Sequence, residues 1–89
     1  MTDTLGLLAE ACQLAIDIGY AVREEPLGDL PGGPCLVGEK RQLLLNLEQG
    51  PAERLAVVLQ ALAADPRVAA EPKSRLLMAR LAAVRGEAG

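Results

Sequence analysis

The apolar positions of this chain change period as it is read. From Thr4 to Ile18 they recur at helical spacing. Leu5, Leu8, Ala11, Cys12, Ala15, Ile16 and Ile18 fill a broad arc, while Glu10, Gln13 and Asp17 gather on a narrow polar one. That arc is wider than contact with one sheet requires. Thr2 or Thr4 can cap this helix, and Gly19 suits the left-handed residue that ends it. The period then drops to two. In YAVREEPL, Tyr20, Val22 and Glu24 alternate with Ala21, Arg23 and Glu25, and Pro26 ends the strand. GDLPGGP is a loop, dense in glycine and proline. CLVGEKRQLLLNL reads as two strands joined by a tight turn near GEKR. Cys35 and Val37 share one face, and Leu43, Leu45 and Leu47 share the inner face of the next strand. Leu36 and Leu44 then fall on the opposite face, with Gln42 and Asn46. A sheet with one wet face alternates more cleanly than this, which makes those two leucines candidates for a partner surface.

The helical period returns after EQGP. Pro51 fits the first turn, where its missing N–H costs nothing. Leu55, Val58, Leu59 and Leu62 make the main stripe of this second helix, and Val57, Ala61 and Ala64 a smaller-sided second face. Asp65-Pro66 stops it. A short turn follows, then a third helix from near Pro72 to Gly86, with Leu77, Leu81 and Val84 as its stripe. The order is α-β-β-β-α-α. It predicts a single α+β domain over residues 1–86, with a leading helix, a three-stranded antiparallel sheet and two further helices, and a flexible tail at 87–89.

Composition sharpens this outline. Eighty-nine residues make one domain with a thin stability margin. There is no Phe or Trp and one Tyr, so the core is aliphatic and added burial by self-association is favoured. The same lack removes the aromatic platforms on which single-stranded nucleic acids stack. The net charge of −3 is unevenly spread: residues 1–53 hold nine acids and three bases, residues 54–89 three acids and six bases. Lys73, Arg75, Arg80 and Arg85 surround the third helix, and a nucleic-acid surface wants a denser patch. No apolar run approaches the ~20 residues of a membrane span, and the acidic, helically spaced start is unlike a signal peptide. The expected location is cytoplasmic, with Cys12 and Cys35 as free thiols and small buried hydrophobes.

The chemistry is defined by what is missing. There is no histidine, which removes the usual acid–base group at neutral pH and the commonest metal ligand. The loop Gly28–Pro34 leads into a strand and contains two prolines, so it lacks the layout of a phosphate cradle. Glu24 and Glu25 are adjacent and point to opposite faces of their strand, which prevents them from cooperating. No catalytic residue, cofactor site or metal site is expected.

The succession helix, IGYAVREEPLG, glycine-rich loop, CLVGEKRQLLLNLEQGPAERLAVVLQAL resembles the N-terminal half of ImmA/IrrE-type zinc metallopeptidases, over roughly residues 5–64. Leu43-Leu44-Leu45-Asn46 stands where those proteins have an IxxN-like strand end. Their next helix carries Ala-His-Glu-x-x-His. Here Val57 and Val58 take the places of the first histidine and the glutamate, and Ala61 that of the second histidine. These side chains can neither hold zinc nor activate water. The resemblance thus implies a degenerate, zinc-free scaffold of the kind seen in small bacterial proteins.

Together these readings predict a non-catalytic interaction or scaffold protein, a homodimer or the small subunit of a complex, with Leu36, Leu44, Val57 and Ala61 as candidate interface residues. The alternative is a nucleic-acid-associated regulator using Arg75, Arg80 and Arg85. A third reading is a metallopeptidase-like protein with residual activity.

Overall fold

Asp3, rather than Thr4, opens the first helix of the computed structural model, which describes residues 3–86. Its carboxylate accepts from the Gly6 amide at 2.8 Å. Thr2 and the expected tail at 87–89 lie outside the described residues. The fold is α+β. Helix α1 (Thr4–Asp17) is followed by strands β1 (Ala21–Glu25), β2 (Gly33–Val37) and β3 (Lys40–Asn46). Helix α2 (Pro51–Ala63), a 3₁₀ turn (Pro66–Ala70) and helix α3 (Arg75–Arg85) complete it. The Tyr20 amide donates to the Ala15 carbonyl and the Gly19 amide to that of Ile16, so α1 ends where Gly19 predicts. Helix α3 starts later than expected, at Arg75, because Ser74 Oγ caps it by accepting from the Leu77 amide. Glu10 of α1 binds that cap: its carboxylate accepts from the Ser74 amide at 2.8 Å and from Ser74 Oγ at 2.7 Å. A negative charge is thereby held at the positive end of α3.

The sheet departs from the expected all-antiparallel arrangement. Its order is β1-β3-β2, with β2 antiparallel and β1 parallel to β3. The β2–β3 hairpin turns at Gly38-Glu39, where φ of Gly38 is +62°. The connection at residues 26–32 decides the rest. It carries the chain from β1 across the end of β3 to the far edge, so the hairpin returns β3 into the middle.

Asn46 holds that crossing. It is 1% exposed, although alternation places it on the outer face. Its Oδ1 accepts from the Leu27 and Glu48 amides at 3.1 and 2.9 Å, and its Nδ2 donates to the Gly28 and Leu30 carbonyls, both at 2.9 Å. Gly32 closes the loop with φ +77°, its α-carbon packed so tightly that a β-carbon would lie 2.5 Å from the Leu44 carbonyl oxygen.

Register corrects two further expectations. Leu36 pairs with Arg41 and Gly33 with Leu44. Directly paired residues share a face, so Leu36 and Leu44 lie on opposite faces. Leu36 shares the helix side with Pro34, Leu43 and Val22. Leu47 lies beyond the end of β3 and is exposed rather than inward.

The core is aliphatic, as the composition requires. Leu7, Leu8, Leu14 and Ile18 of α1 and its end meet Leu43 and Leu45 of β3 and Leu55, Val58, Leu59 and Leu62 of α2. α2 packs against α1, α3, β2 and β3, so both of its apolar faces are used. Leu77 and Leu81 bring α3 into the same cluster. The wide arc of α1 leaves Leu5 and Ile16 exposed.

Asn46→Ala should destabilise the fold by roughly 3 kcal/mol, because it strands two amides and two carbonyls at once; urea unfolding measures this. Asn46→Asp should also destabilise at neutral pH, since a carboxylate would face the Gly28 and Leu30 carbonyls. Gly32→Ala should cost about 2 kcal/mol or more, from its left-handed backbone and the clash with the strand.

Candidate functional site

The four residues expected at an interface are dispersed. Leu36 is 68% exposed on β2, whereas Leu44 is half-buried on the far face of the sheet. Val57 is half-buried against the core and Ala61 is buried. Val58, the third position compared with a zinc-binding helix, is fully buried. Of the four, Leu36 and Ala61 come closest to a common region, at the end of the sheet beneath the C-terminus of α2.

Two features meet there. The first is the free edge of β2. Val37 and Lys40 flank a two-residue turn and form a hydrogen-bonded pair, so pairing alternates back along the hairpin. Cys35 and Gly33 bond to β3, while the amide and carbonyl of Leu36 and the carbonyl of Pro34 point away from the sheet. Pro34 therefore lacks its N–H at a position where the ladder never needed one. Leu36 and Val37, at 68% and 54% exposure, flank this edge from opposite faces. Cys35 beside them is exposed, not buried as expected.

The second feature is a cleft. Tyr20, one residue before β1, falls by register beside Arg41, which pairs with Leu36. This last row on the helix side lies at the end of α2, which stops at Ala63, and the turn from Asp65 to Arg67 borders it instead of a further helical turn. The result is an open cleft of about 400 Å³, bounded by Tyr20, Pro34, Arg41, Ala61, Ala64 and Arg67. Asp65 forms its polar wall. This carboxylate is 6% exposed and caps the 3₁₀ turn by accepting from the Arg67 amide at 2.9 Å. Arg67 also grips it from the side chain, with Nη2 at 2.6 Å and Nε at 3.0 Å. The hydrogen bonds from Arg67 outweigh desolvation and hold the Asp65 carboxyl down at about 2; the same partnership raises the Arg67 guanidinium. The Arg67 guanidinium carbon lies 5.8 Å from the centre of the Tyr20 ring. Arg41 Nη1 stands 3.6 Å from Asp65 Oδ2, beyond hydrogen-bond range, and its side chain is 52% exposed.

Tyr20, Arg41, Asp65 and Arg67 were not among the expected site residues. Two local signals mark them. Arg41 has the same parity as Leu43 and Leu45, which places a cation on the inner face. Asp-Pro-Arg after a helix favours an aspartate that accepts from the amide two residues on.

The basic end of the chain is built differently from a charged patch. Arg80 is five residues from both Arg75 and Arg85, so it leaves α3 about 140° from each of them, while Arg75 and Arg85 lie about 80° apart. Arg85 donates from Nε to the Ala63 carbonyl at 3.2 Å, fastening α3 to the end of α2. Cys12 is half-buried, and burial pushes its thiol above its usual range, which keeps it protonated. No helix among the described residues is long and apolar enough to cross a membrane. Comparison of the chain with protein-family models, with curated proteins and with solved structures gave no match.

Asp65 gives the fold a pH dependence with a definite sign. Its folded carboxyl titrates near 2 against an ordinary value of 3.8. Its contribution is complete above the ordinary value and is lost as pH falls through the folded one. Asp65→Asn should lower stability by about 1–2 kcal/mol at neutral pH. In urea unfolding, that gap from the wild type should narrow between about pH 4 and pH 2.

Proposed function

We propose that this chain is a non-catalytic interaction protein that associates with a second copy of itself through the free edge of β2. The observation that carries the reading is that edge: one outward amide and two outward carbonyls, flanked by the exposed side chains of Leu36 and Val37. Unprotected strand edges are templates for pairing with another chain. A two-fold axis at Leu36 lets the two copies exchange a pair of backbone hydrogen bonds at that residue and join their sheets. The apolar side chains flanking the junction add burial at roughly 25 cal/mol per Å². A core without Phe or Trp makes such added burial useful. The absence of histidine from the sequence and the free state of both cysteines support a non-catalytic protein of a reducing compartment. The short edge predicts a weak, concentration-dependent dimer rather than an obligate one.

Light scattering tests this. Wild-type protein should rise from the 9.3 kDa monomer toward twice that mass as concentration increases from about 10 µM to about 1 mM. Leu36→Pro removes the outward amide without touching the hairpin ladder and should stay monomeric, as should Leu36→Lys, which places a charge on the edge. Circular dichroism establishes that both variants remain folded. A wild-type monomer at the highest concentration, or folded variants that dimerise like the wild type, would overturn the reading.

A further inference from the structure

The charges around the cleft do not balance in pairs. Asp65 is matched by Arg67 through three side-chain hydrogen bonds and sits in the wall with its charge compensated. Glu39 and Lys40, both exposed, are adjacent at the hairpin turn and border a neighbouring hollow with opposite signs. Arg41 lines the cleft and shares the Asp65 carboxylate as a second, longer ion pair, Nη1 to Oδ2 at 3.6 Å, without a hydrogen bond. Two guanidiniums thus meet one carboxylate, and the site as a whole carries one net positive charge.

Apart from Gln60, the rest of the lining is largely apolar. Pro34 and Ala61 face each other from strand and helix, Ala64 extends the helix wall, and the Tyr20 ring closes one side beneath Arg67. About 400 Å³ is within the usual size range of small-molecule sites. A planar guanidinium presents paired N–H donors that match a carboxylate. We infer that this cleft binds a small organic monocarboxylate, with its carboxylate on Arg41 and its apolar body between Tyr20, Pro34, Ala61 and Ala64. Asp65 and Arg67 are positioning residues: their pairing fixes the chain reversal beside the cleft and engages Asp65 in hydrogen bonds that Arg41 does not make. This inference stands apart from strand pairing. It uses side chains on the helix side of the sheet, whereas pairing uses the backbone edge of β2.

The probe is benzoate, with benzamide as a neutral mimic of the same shape. Backbone amide NMR of the labelled full chain should show saturable shifts with benzoate at a Kd in the millimolar range or tighter. The shifts should centre on Tyr20, Arg41, Ala61 and Arg67, and added salt should weaken binding. Benzamide should bind at least ~10-fold more weakly. Arg41→Gln should retain a dispersed spectrum and the wild-type association state while losing benzoate by a similar factor; Arg41→Lys should recover part of it. No saturation by about 50 mM benzoate overturns the inference. So does equal binding of benzamide, unchanged affinity in Arg41→Gln, or shifts centred away from the cleft.

Discussion

The fold depends on one buried amide. Asn46 is the last residue of β3, and its side chain reaches four backbone groups around it. Three belong to the connection from β1 to β2, which must pass the end of β3. A loop in that position buries peptide groups that no ladder can satisfy. An asparagine satisfies them because it offers donors and an acceptor from one short side chain. Leucine would leave all four groups unpaired, and aspartate would supply acceptors where donors are needed. With the loop fixed, β1 and β2 lie on opposite sides of β3, and the parallel pairing of β1 follows.

That pairing determines where the helices can pack. β1 and β3 run in one direction, and α1 comes back against β1 while α2 lies over β3 and β2. α2 then has a sheet on one side and helices on the other, which accounts for its two apolar faces. Val57 and Ala61 serve this packing, one half-buried and the other buried. The aliphatic core gains its continuity from α2, since α1, β3, the 3₁₀ turn and α3 each contribute leucine, valine or alanine to the same cluster. Glu10 and Ser74 add a polar fastening between α1 and α3 that neither helix makes alone.

Much of this was legible in the residues, because local chemistry sets element boundaries. Gly19, Pro51 and Asp65-Pro66 mark real ends, and alternation correctly put Leu43 and Leu45 inside. Strand partners were a different matter. Period two states which face a side chain takes, not which strand lies beside it. A seven-residue connection looks the same whether it joins neighbours or crosses a strand. Asn46 was placed on a wet face by parity, and parity carries no record of a loop folding over that face. Leu36 and Leu44 were grouped because each strand was read alone; the register of the hairpin separates them. The cleft was missed for the same reason. The parity of Arg41 was visible, but the helix that stops short above it is a relation between distant segments.

The free edge and the cleft occur together because both follow from the same ordering of strands. Placing β3 in the centre makes the hairpin's first strand an edge, so Leu36 and Pro34 have no partner on one side. The hairpin also extends β3 back to Lys40, further than α2 can cover once Asp65-Pro66 has turned the chain. The final row of the sheet is therefore left with Tyr20, Arg41 and Leu36 on its helix side. An aliphatic residue at position 41 would expose more apolar surface in that row. Arginine instead is half-exposed there and brings its charge to Asp65. The same choice that makes the uncovered row tolerable also gives the cleft a second cation beside Asp65. The charge at the end of the sheet and the charge in the cleft thus come from one side chain, and the edge of β2 beside it carries no further strand.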